Sequence, residues 1–352
     1  MQEIDLQMTN RLNIMLSEAK SIVITTHMKP DGDALGSSLA MHHFLRMNGK
    51  SSRVILPQRQ PSNLDFLISE ESRNHISIHE YCKEEAEEAV SSADLIICLD
   101  FNAFHRTDGM ESVLAGSKAA KVLIDHHLNP DRESFDLIFS ETQVSSASEL
   151  LFHILMAMPQ IGNDASKLPA EAAVALMTGM TTDTNNFANS VFPSTLRMAS
   201  ALLEAGTDRD MIISMLYNRF SESRLRLMGH MMKDLMTITS DDVAYIVLDR
   251  ATQLQYQVAE GDTEGFVNMP LSIESVRMSI LVKEDEDRMR VSIRSKKGTS
   301  ANRCARLHFN GGGHENAAGG KLLIPNDIAS ISDIAGYIER HTHTFMTDEN
   351  EK

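Results

Sequence analysis

Apolar residues along the first half of the chain fall into short runs set between longer, helix-spaced stretches. Residues 21–26 form a β-rich run, and residues 34–47 place apolar positions at helical spacing before the turn pair Asn48-Gly49, which predicts a strand followed by a helix. An amphipathic stretch over 12–19 precedes this unit, and two more apolar runs, 94–99 and 121–124, follow helix-like or polar segments such as 82–90. Strands alternating with helices predict an α/β domain whose parallel sheet is covered on both faces.

The rhythm changes in the second half. Residues 170–180 and 194–235 are helical in spacing and rich in Met and Leu, whereas 243–248, 275–282 and 289–295 read as strands, the last two separated by a turn-like 283–287. The expected organisation is a catalytic domain over 1–190, a helical connector over 191–235, a smaller α+β domain over 236–345 and a frayed acidic tail over 346–352. No internal repeat of fixed period is visible.

Composition narrows the class. A chain of 352 residues, 42% of them hydrophobic, suits two domains. The start carries Glu3 and Asp5 rather than a basic leader, and no segment approaches the roughly 20 apolar residues of a membrane helix, so a cytoplasmic protein without a membrane partner is expected. Cys82, Cys98 and Cys304 are far apart and form no C-x-x-C pair, which reads as ordinary thiols. The formal charge of −16 repels phosphate chains, so any anionic substrate needs a metal ion or a local basic island.

Candidates for both are present. His27 with Asp31 and Asp33 follows the first predicted strand, Asp100 the next, and Asp125-His126-His127 the third; Asp183 follows a helical stretch. In open parallel sheets the carboxyl ends of the strands face one crevice, so these residues are expected to converge. Any one aspartate alone reads as a helix cap or turn residue, but an adjacent histidine pair at a strand end has no evident packing use. Carboxylates mixed with imidazoles and no thiolate suit Mn²⁺ or Mg²⁺, and their number is about right for two ions roughly 3.5–4 Å apart that clamp an in-line phosphoryl displacement. His42 and His43 sit inside a helical run and read as packing or surface residues; His341 and His343 read as solvated; His105 remains open.

Farther on, Gly311-Gly312-Gly313-His314 gives a backbone that can approach an anion, ahead of an expected helix N-terminus. The 288–308 segment carries Arg288, Arg290, Arg294, Lys296, Lys297, Arg303 and Arg306 without an acidic residue, and strand alternation puts Arg288, Arg290, Ser292 and Arg294 on one face. Aromatic residues are only 5% and Trp is absent, which argues against a stacking groove for long single strands or long DNA.

Taken together, His27-x-x-Pro30-Asp31-Gly32-Asp33-Ala34-x-Gly36-Ser37, Asp100, Asp125-His126-His127, Asp183-Thr184, Arg294-Ser295 and Gly311-Gly312-Gly313-His314 resemble the DHH/DHHA1 phosphoesterases over nearly the whole chain. Within that family the chain looks most like the group that trims RNAs of a few nucleotides to mononucleotides and removes the 3′-phosphate of 3′-phosphoadenosine 5′-phosphate. The resemblance implies a parallel-sheet DHH domain and a smaller DHHA1 domain with the active site in the cleft between them. It implies one divalent ion on His27, Asp31 and Asp100 and another on Asp33, Asp100, His126 and Asp183, with Mn²⁺ preferred and Mg²⁺ or Co²⁺ as alternatives. Asp125 would orient the histidine pair, His127 would meet the scissile phosphate or leaving group, and Arg294, Ser295, Gly312, Gly313 and His314 would bind the rest of the substrate.

Two stretches depart from the family pattern: Thr184-Asn185-Asn186-Phe187, where relatives often carry glycine after the threonine, and Lys296-Lys297-Gly298 in place of a single residue before glycine. The same metal motifs are similar to those of manganese pyrophosphatases, exopolyphosphatases and dinucleotide phosphodiesterases. A non-catalytic nucleotide- or RNA-binding protein and a homodimer also remain open.

Overall fold

The computed structural model describes residues 5–259, 261–285 and 288–350, and the chain divides into two compact units between Arg219 and Phe220. The first unit runs α1 (Leu6–Glu18), β1 (Ile22–Thr25), α2 (Gly32–Met47), β2 (Ser52–Leu56), α3 (Glu70–Arg73), β3 (Ile76–Ile78), α4 (Lys83–Ser92), β4 (Leu95–Leu99), α5 (Glu111–Gly116), β5 (Ala120–Asp125) and β6 (Leu137–Ser140). Helices α6 (Ala147–Ala157), α7 (Ala170–Asp183), α8 (Pro193–Glu204) and α9 (Arg209–Tyr217) complete it. The strands pair in parallel in the order β3-β2-β1-β4-β5-β6.

Every residue of β1 and β4 is buried, because helices cover both faces of the sheet: Leu35, Leu39 and Met177 pack on one side, Val90 and Leu114 on the other. The direction of strand order reverses between β1 and β4, the point at which an open parallel sheet leaves a crevice beyond its carboxyl ends. Helices α2 and α7 pack antiparallel and very closely. A side chain at Gly36 would bring a Cβ to 2.5 Å from the Ala175 carbonyl, and one at Gly179 would fall on Ser148 Oγ. This crossing sets the start of α2, with Asp33, beside the end of α7, with Asp183.

The second unit contains α10 (Glu222–His230), β7 (Thr237–Ile238), β8 (Val243–Leu248), α11 (Arg250–Gln255), β9 (Met278–Glu284), β10 (Met289–Ser295), α12 (Ala301–His308), β11 (Gly312–His314), β12 (Ala317–Leu322) and α13 (Ile334–Asn350). Its sheet has the order β11-β12-β10-β9-β8-β7, with β8 and β9 parallel and the other neighbours antiparallel. This is the α+β domain the sequence predicts. Among the described residues no helix is long and apolar enough to cross a membrane.

Two expectations need correction. The segment 191–235 is not a separate connector: Met198, Leu202, Ile212 and Leu216 of α8 and α9 enter the first core, while Leu227 and Met231 pack with Ile246, Leu248 and Phe266 of the second unit. The acidic tail is not frayed as far as Asn350. Ile334, Ile338, Thr342, Phe345 and Met346 form a buried stripe along α13, and Arg303 pairs with Glu349 and lies over the Phe345 ring. Residues 351–352 lie outside the described residues.

Candidate active site

The crevice is built strand by strand. Thr26 Oγ1 donates to the Leu99 carbonyl at 2.8 Å, pinning the exit of β1 to that of β4. His27 follows, nearly buried, and its Nδ1 donates to its neighbour's Met28 carbonyl at 2.7 Å. That bond fixes the tautomer and presents Nε2 to Asp100 Oδ2 at 3.4 Å and to Asp31 Oδ1 at 3.9 Å. Asp31 is also the cap of α2, accepting from Asp33 N and Ala34 N, so the cap reading holds, and it does not exclude Asp31 as a ligand.

Asp33, in the first turn of α2, is buried and accepts from Ala147 N at 2.6 Å and Ser148 N at 2.9 Å, the first amides of α6. Asp100 stands just beyond β4 with φ at 63°, its own N–H donating to the Ile124 carbonyl. Asp125 ends β5 and accepts from His127 Nδ1 at 2.7 Å, leaving Nε2 as the available nitrogen of that ring. His126 Nε2 lies 3.4 Å from Asp100 Oδ1 and 3.5 Å from Asp183 Oδ2. Backbone strain gathers around the same crevice, with positive φ at Lys29, Asp100, Asn129 and the consecutive Asn185, Asn186 and Phe187.

Three overlapping groups of donor atoms result, each with its atoms within 4.8 Å of one another: His27, Asp31 and Asp100; Asp33, His126 and Asp183; and Asp100, His126 and His127. Burial disfavours a charge on Asp100, yet His126 and His27 outweigh it and hold the carboxyl down at about 2. Burial likewise disfavours imidazolium at His126, but Asp100, Asp33 and Asp183 push it up to about 9. His27 is raised in the same way by Asp100 against its burial. Asp33 is driven well above the carboxylate range by burial and by the charges of Asp100 and Asp183, and Asp183 is raised to about 6, chiefly by burial.

Protons on imidazoles thus balance crowded carboxylates. Asp100 Oδ1 and Asp125 Oδ2 are buried without a hydrogen-bond partner, a costly state for carboxylate oxygens unless a cation faces them. Oxygen-rich donors with two or three imidazoles and no thiolate fit divalent cations.

In the second unit Arg294 is half-buried on β10; its Nη1 donates to the Ile293 carbonyl at 2.9 Å and approaches the Ala318 carbonyl at 3.4 Å. Arg290, Ser292 and Arg294 do share the more exposed face of β10, between buried Met289, Val291, Ile293 and Ser295. Ser295 is committed internally, donating to the Thr299 carbonyl at 2.6 Å and accepting from Asn316. The expected helix N-terminus after the glycines is instead a hairpin of β11 and β12. Cβ atoms at Gly311 and Gly313 would strike the Gly319 and Ala317 carbonyls, so only glycine lets these strands close. Gly312 pairs with Gly319, and Gly313 N is taken by Asn302 Oδ1. His314 lies on β11 opposite Ala317, its side chain outside the described residues.

The basic segment is also less available than its sequence suggests. Arg290 pairs with Asp285, Arg303 with Glu349, and Lys296 Nζ donates to the Ile273 and Glu274 carbonyls. Among the other histidines, His42 is buried against Ser52 Oγ with burial holding it down at about 3, and His105 is exposed. His341 is not solvated: it packs on Tyr337 and meets His308 Nδ1 at 3.1 Å, while exposed His343 pairs with Asp241. Sequence reasoning missed the start of α6. Its signal was there in Ser146 and Glu149, three residues apart ahead of an apolar run.

Residues 21–180 match the DHH family, N-terminal domain, and residues 241–338 match the DHHA1 domain. The chain is 31% identical over 303 residues to the bifunctional oligoribonuclease and PAP phosphatase NrnA of Thermus thermophilus, covering 86% of this chain and 84% of that protein. It is 26% identical over 309 residues to the NrnA of Bacillus subtilis, covering 86% and 89% respectively. A solved exopolyphosphatase-related protein from Bacteroides fragilis is similar over 99% of both chains, with 35% identity and a TM-score of 0.88. On a doubly wound sheet whose strand ends carry the full set of carboxylates and imidazoles, the chain belongs to the DHH/DHHA1 phosphoesterases, in their NrnA-like group, and is a hydrolase.

Proposed function

We propose that this hydrolase uses two divalent ions, Mn²⁺ by preference, to cleave RNAs of a few nucleotides to mononucleotides and to remove the 3′-phosphate of 3′-phosphoadenosine 5′-phosphate. One observation carries the two-ion reading: the buried Asp100 carboxylate turns Oδ2 to His27 and Oδ1 to His126, each at 3.4 Å, so its two oxygens belong to two different donor groups. His27, Asp31 and Asp100 would hold one ion, and Asp33, His126 and Asp183, joined by Asp100 through the oxygen that faces His126, would hold the other. Bound there, such ions would supply an acidified water and charge neutralisation for the phosphoryl oxygens.

The chain's own groups do the rest. Asp125 accepts a hydrogen bond from His127 Nδ1 and so orients that ring, whose Nε2 would meet the phosphate or hand a proton to the leaving oxygen. Arg294 and the β11 segment are the substrate-holding elements of the second unit. The substrate class rests on the two NrnA relatives, which cover most of the chain. The exopolyphosphatase-related neighbour supports a second reading, hydrolysis of polyphosphate.

Turnover of a diribonucleotide, 3′-phosphoadenosine 5′-phosphate, a cyclic dinucleotide, pyrophosphate and polyphosphate, side by side with Mn²⁺, separates these. Release of nucleoside monophosphate from the dinucleotide and of phosphate from the bisphosphate is expected. Preferential hydrolysis of polyphosphate or pyrophosphate would overturn the substrate assignment while leaving the site standing.

A further inference from the structure

Glu149 is fully buried near the start of α6, outside the donor groups, and the chemistry above makes no use of it. Its Oε2 accepts from Ser145 N at 2.9 Å, from Ser145 Oγ at 2.6 Å and from Thr195 Oγ1 at 2.6 Å, while Oε1 faces His153 Nε2 at 3.5 Å. Its own N–H donates to Ser146 Oγ, which closes the first turn of the helix. Burial alone would keep this carboxyl neutral; donors from His153, Ser145, Ser194 and Thr195 outweigh it and hold the group at about 2, so the buried residue is a charge.

The two segments that this charge ties together each adjoin a donor of the same group, Asp33 on α2 and Asp183 at the end of α7. Residues Ser145 and Ser146 lead directly into Ala147 and Ser148, whose amides grip Asp33. Thr195, besides donating to Glu149, accepts from Phe192 N and so fixes the start of α8, where the strained loop that begins after Asp183 comes to an end. Between them runs the α2–α7 crossing, in which Gly179 leaves room for Ser148 and for Asp33 Oδ1, the latter 2.8 Å from where a Cβ would sit. A shift of the α6 start would therefore move Asp33, and a shift of the α8 start would slacken the Asp183 loop. Among the described residues Glu149 reaches Asp31 only at one further remove, through the cap that Asp31 forms on Asp33 N and Ala34 N, and His27 is set separately by the Met28 carbonyl.

We propose that Glu149 is a positioning residue for the ion gathered by Asp33, His126 and Asp183, and that it leaves the ion of His27, Asp31 and Asp100 largely untouched. This rests on the two-ion reading above. Loss of a buried charge that only stabilised the fold would weaken both ions alike.

The test is a manganese titration of the metal-free, full-length protein by calorimetry and electron paramagnetic resonance, for the native chain, Glu149→Gln and Thr195→Val. The native chain should take up two ions and develop a spin-coupled signal. In Glu149→Gln one ion should bind as before and the other about 10–100-fold more weakly, the range found when groups that orient metal ligands are removed. The coupled signal should then appear only at higher Mn²⁺, where kcat recovers and KM for the dinucleotide is unchanged.

Thr195→Val deletes one contact and keeps the side-chain shape, so it should act in the same direction with a smaller effect and with native melting; it decides the matter if Glu149→Gln does not fold. Two unchanged affinities, or two affinities weakened equally in step with a lower melting temperature, would overturn the assignment of Glu149. A native chain that takes up a single ion would overturn the two-ion reading first, and this inference with it.

Discussion

Asp100 in the first unit and Arg294 in the second are both charged groups withdrawn from solvent, yet they are held in opposite ways. Asp100 has a strained backbone, an oxygen without a hydrogen-bond partner and two imidazoles at the edge of bonding distance. Arg294 is already donating to main-chain carbonyls, and around it Arg290, Lys296 and Arg303 are engaged with neighbours. The first arrangement is incomplete by its own chemistry, as a site that takes up cations would be. The second is nearly self-sufficient and has few donors left for a ligand. On the function proposed above, chemistry would belong to the strand ends of the first unit, and the second unit would contribute grip through a small number of groups.

Removing Asp100 should break that contrast most severely. Asp100→Ala would take one ligand from each of the two proposed ion sites, and a loss of about 4 kcal/mol in transition-state stabilisation corresponds to about a thousandfold in rate. The fold should persist, because β4 and its core neighbours are unchanged. A variant with a native melting curve that kept more than about a tenth of the turnover would show that Asp100 does not serve both groups, since tenfold is only about 1.4 kcal/mol.

The metal-free site should respond to pH in a way the second unit cannot imitate. His126 is raised to about 9, so below that pH the metal-free protein carries a proton that an incoming ion must displace. Mn²⁺ affinity should therefore climb by about tenfold per pH unit up to that value, with proton release measurable by calorimetry in buffers of different ionisation enthalpy. Because the folded pKa lies above the unfolded value of 6.5, the stabilisation from this group is complete below 6.5 and is lost as pH rises through about 9. Melting temperatures of the chelated protein should fall across that window while those of the Mn²⁺-loaded protein do not. A flat Mn²⁺ affinity between pH 6.5 and 9 would mean that His126 is not a ligand.

A smaller and substrate-dependent effect is expected on the other side of the comparison. Arg294→Ala should leave metal content unchanged and slow short RNA and the bisphosphate by about 10–100-fold, the equivalent of a charge-assisted contact of about 1.5–3 kcal/mol. An aryl phosphodiester with no second phosphate to hold should be cleaved at nearly the same rate by variant and native protein. If Arg294→Ala slows both equally, its bonds to the Ile293 and Ala318 carbonyls are its main business and the grip lies elsewhere.

What the sequence displayed follows the same division. The buried parallel strands announce themselves as unbroken apolar runs, and each ends in a residue type that packing does not require, so β1, β4 and β5 and the donors after them were legible. Strands β2, β3 and β6 were not singled out. β2 opens on Ser52-Arg53, β3 has only three residues with Ser77 at its centre, and β6 ends in Ser140, so each owes its conformation to pairing with neighbours more than to local pattern. The glycines of β11 suggested an anion-binding loop because sequence shows their freedom but not the hairpin that uses it. The last helix was hidden by its Glu, Asp and Asn residues, which mask a buried stripe ending in Phe345 and Met346. Neither the grip of Ala147 and Ser148 on Asp33 nor the Glu149 knot has a local signature beyond a capping pattern, since both depend on contacts more than 40 residues apart.

The mildest change sharpens the comparison at its strained edge. Asn185, Asn186 and Phe187 follow Asp183 with φ of 45°, 57° and 66°, a turn of left-handed backbone in residues other than glycine. It is held by Phe187 N donating to Thr184 Oγ1, by Asn186 N on the Thr181 carbonyl, and by Arg209, which reaches Asn186 Oδ1 and lies over the Phe187 ring. Asn185 has an exposed side chain, so Asn185→Gly removes no packing; it eases the positive φ and adds freedom to the unfolded chain, two terms that oppose each other. Stability should therefore move by no more than about 0.5 kcal/mol in either direction, as for most surface changes. If the loop's rigidity helps to set Asp183, the same substitution should weaken one Mn²⁺ ion by a few-fold while melting barely changes. Equal melting with unaltered binding of both ions would show that the turn is held by Arg209 and Thr184 alone, and that its strain has no part in holding the metal.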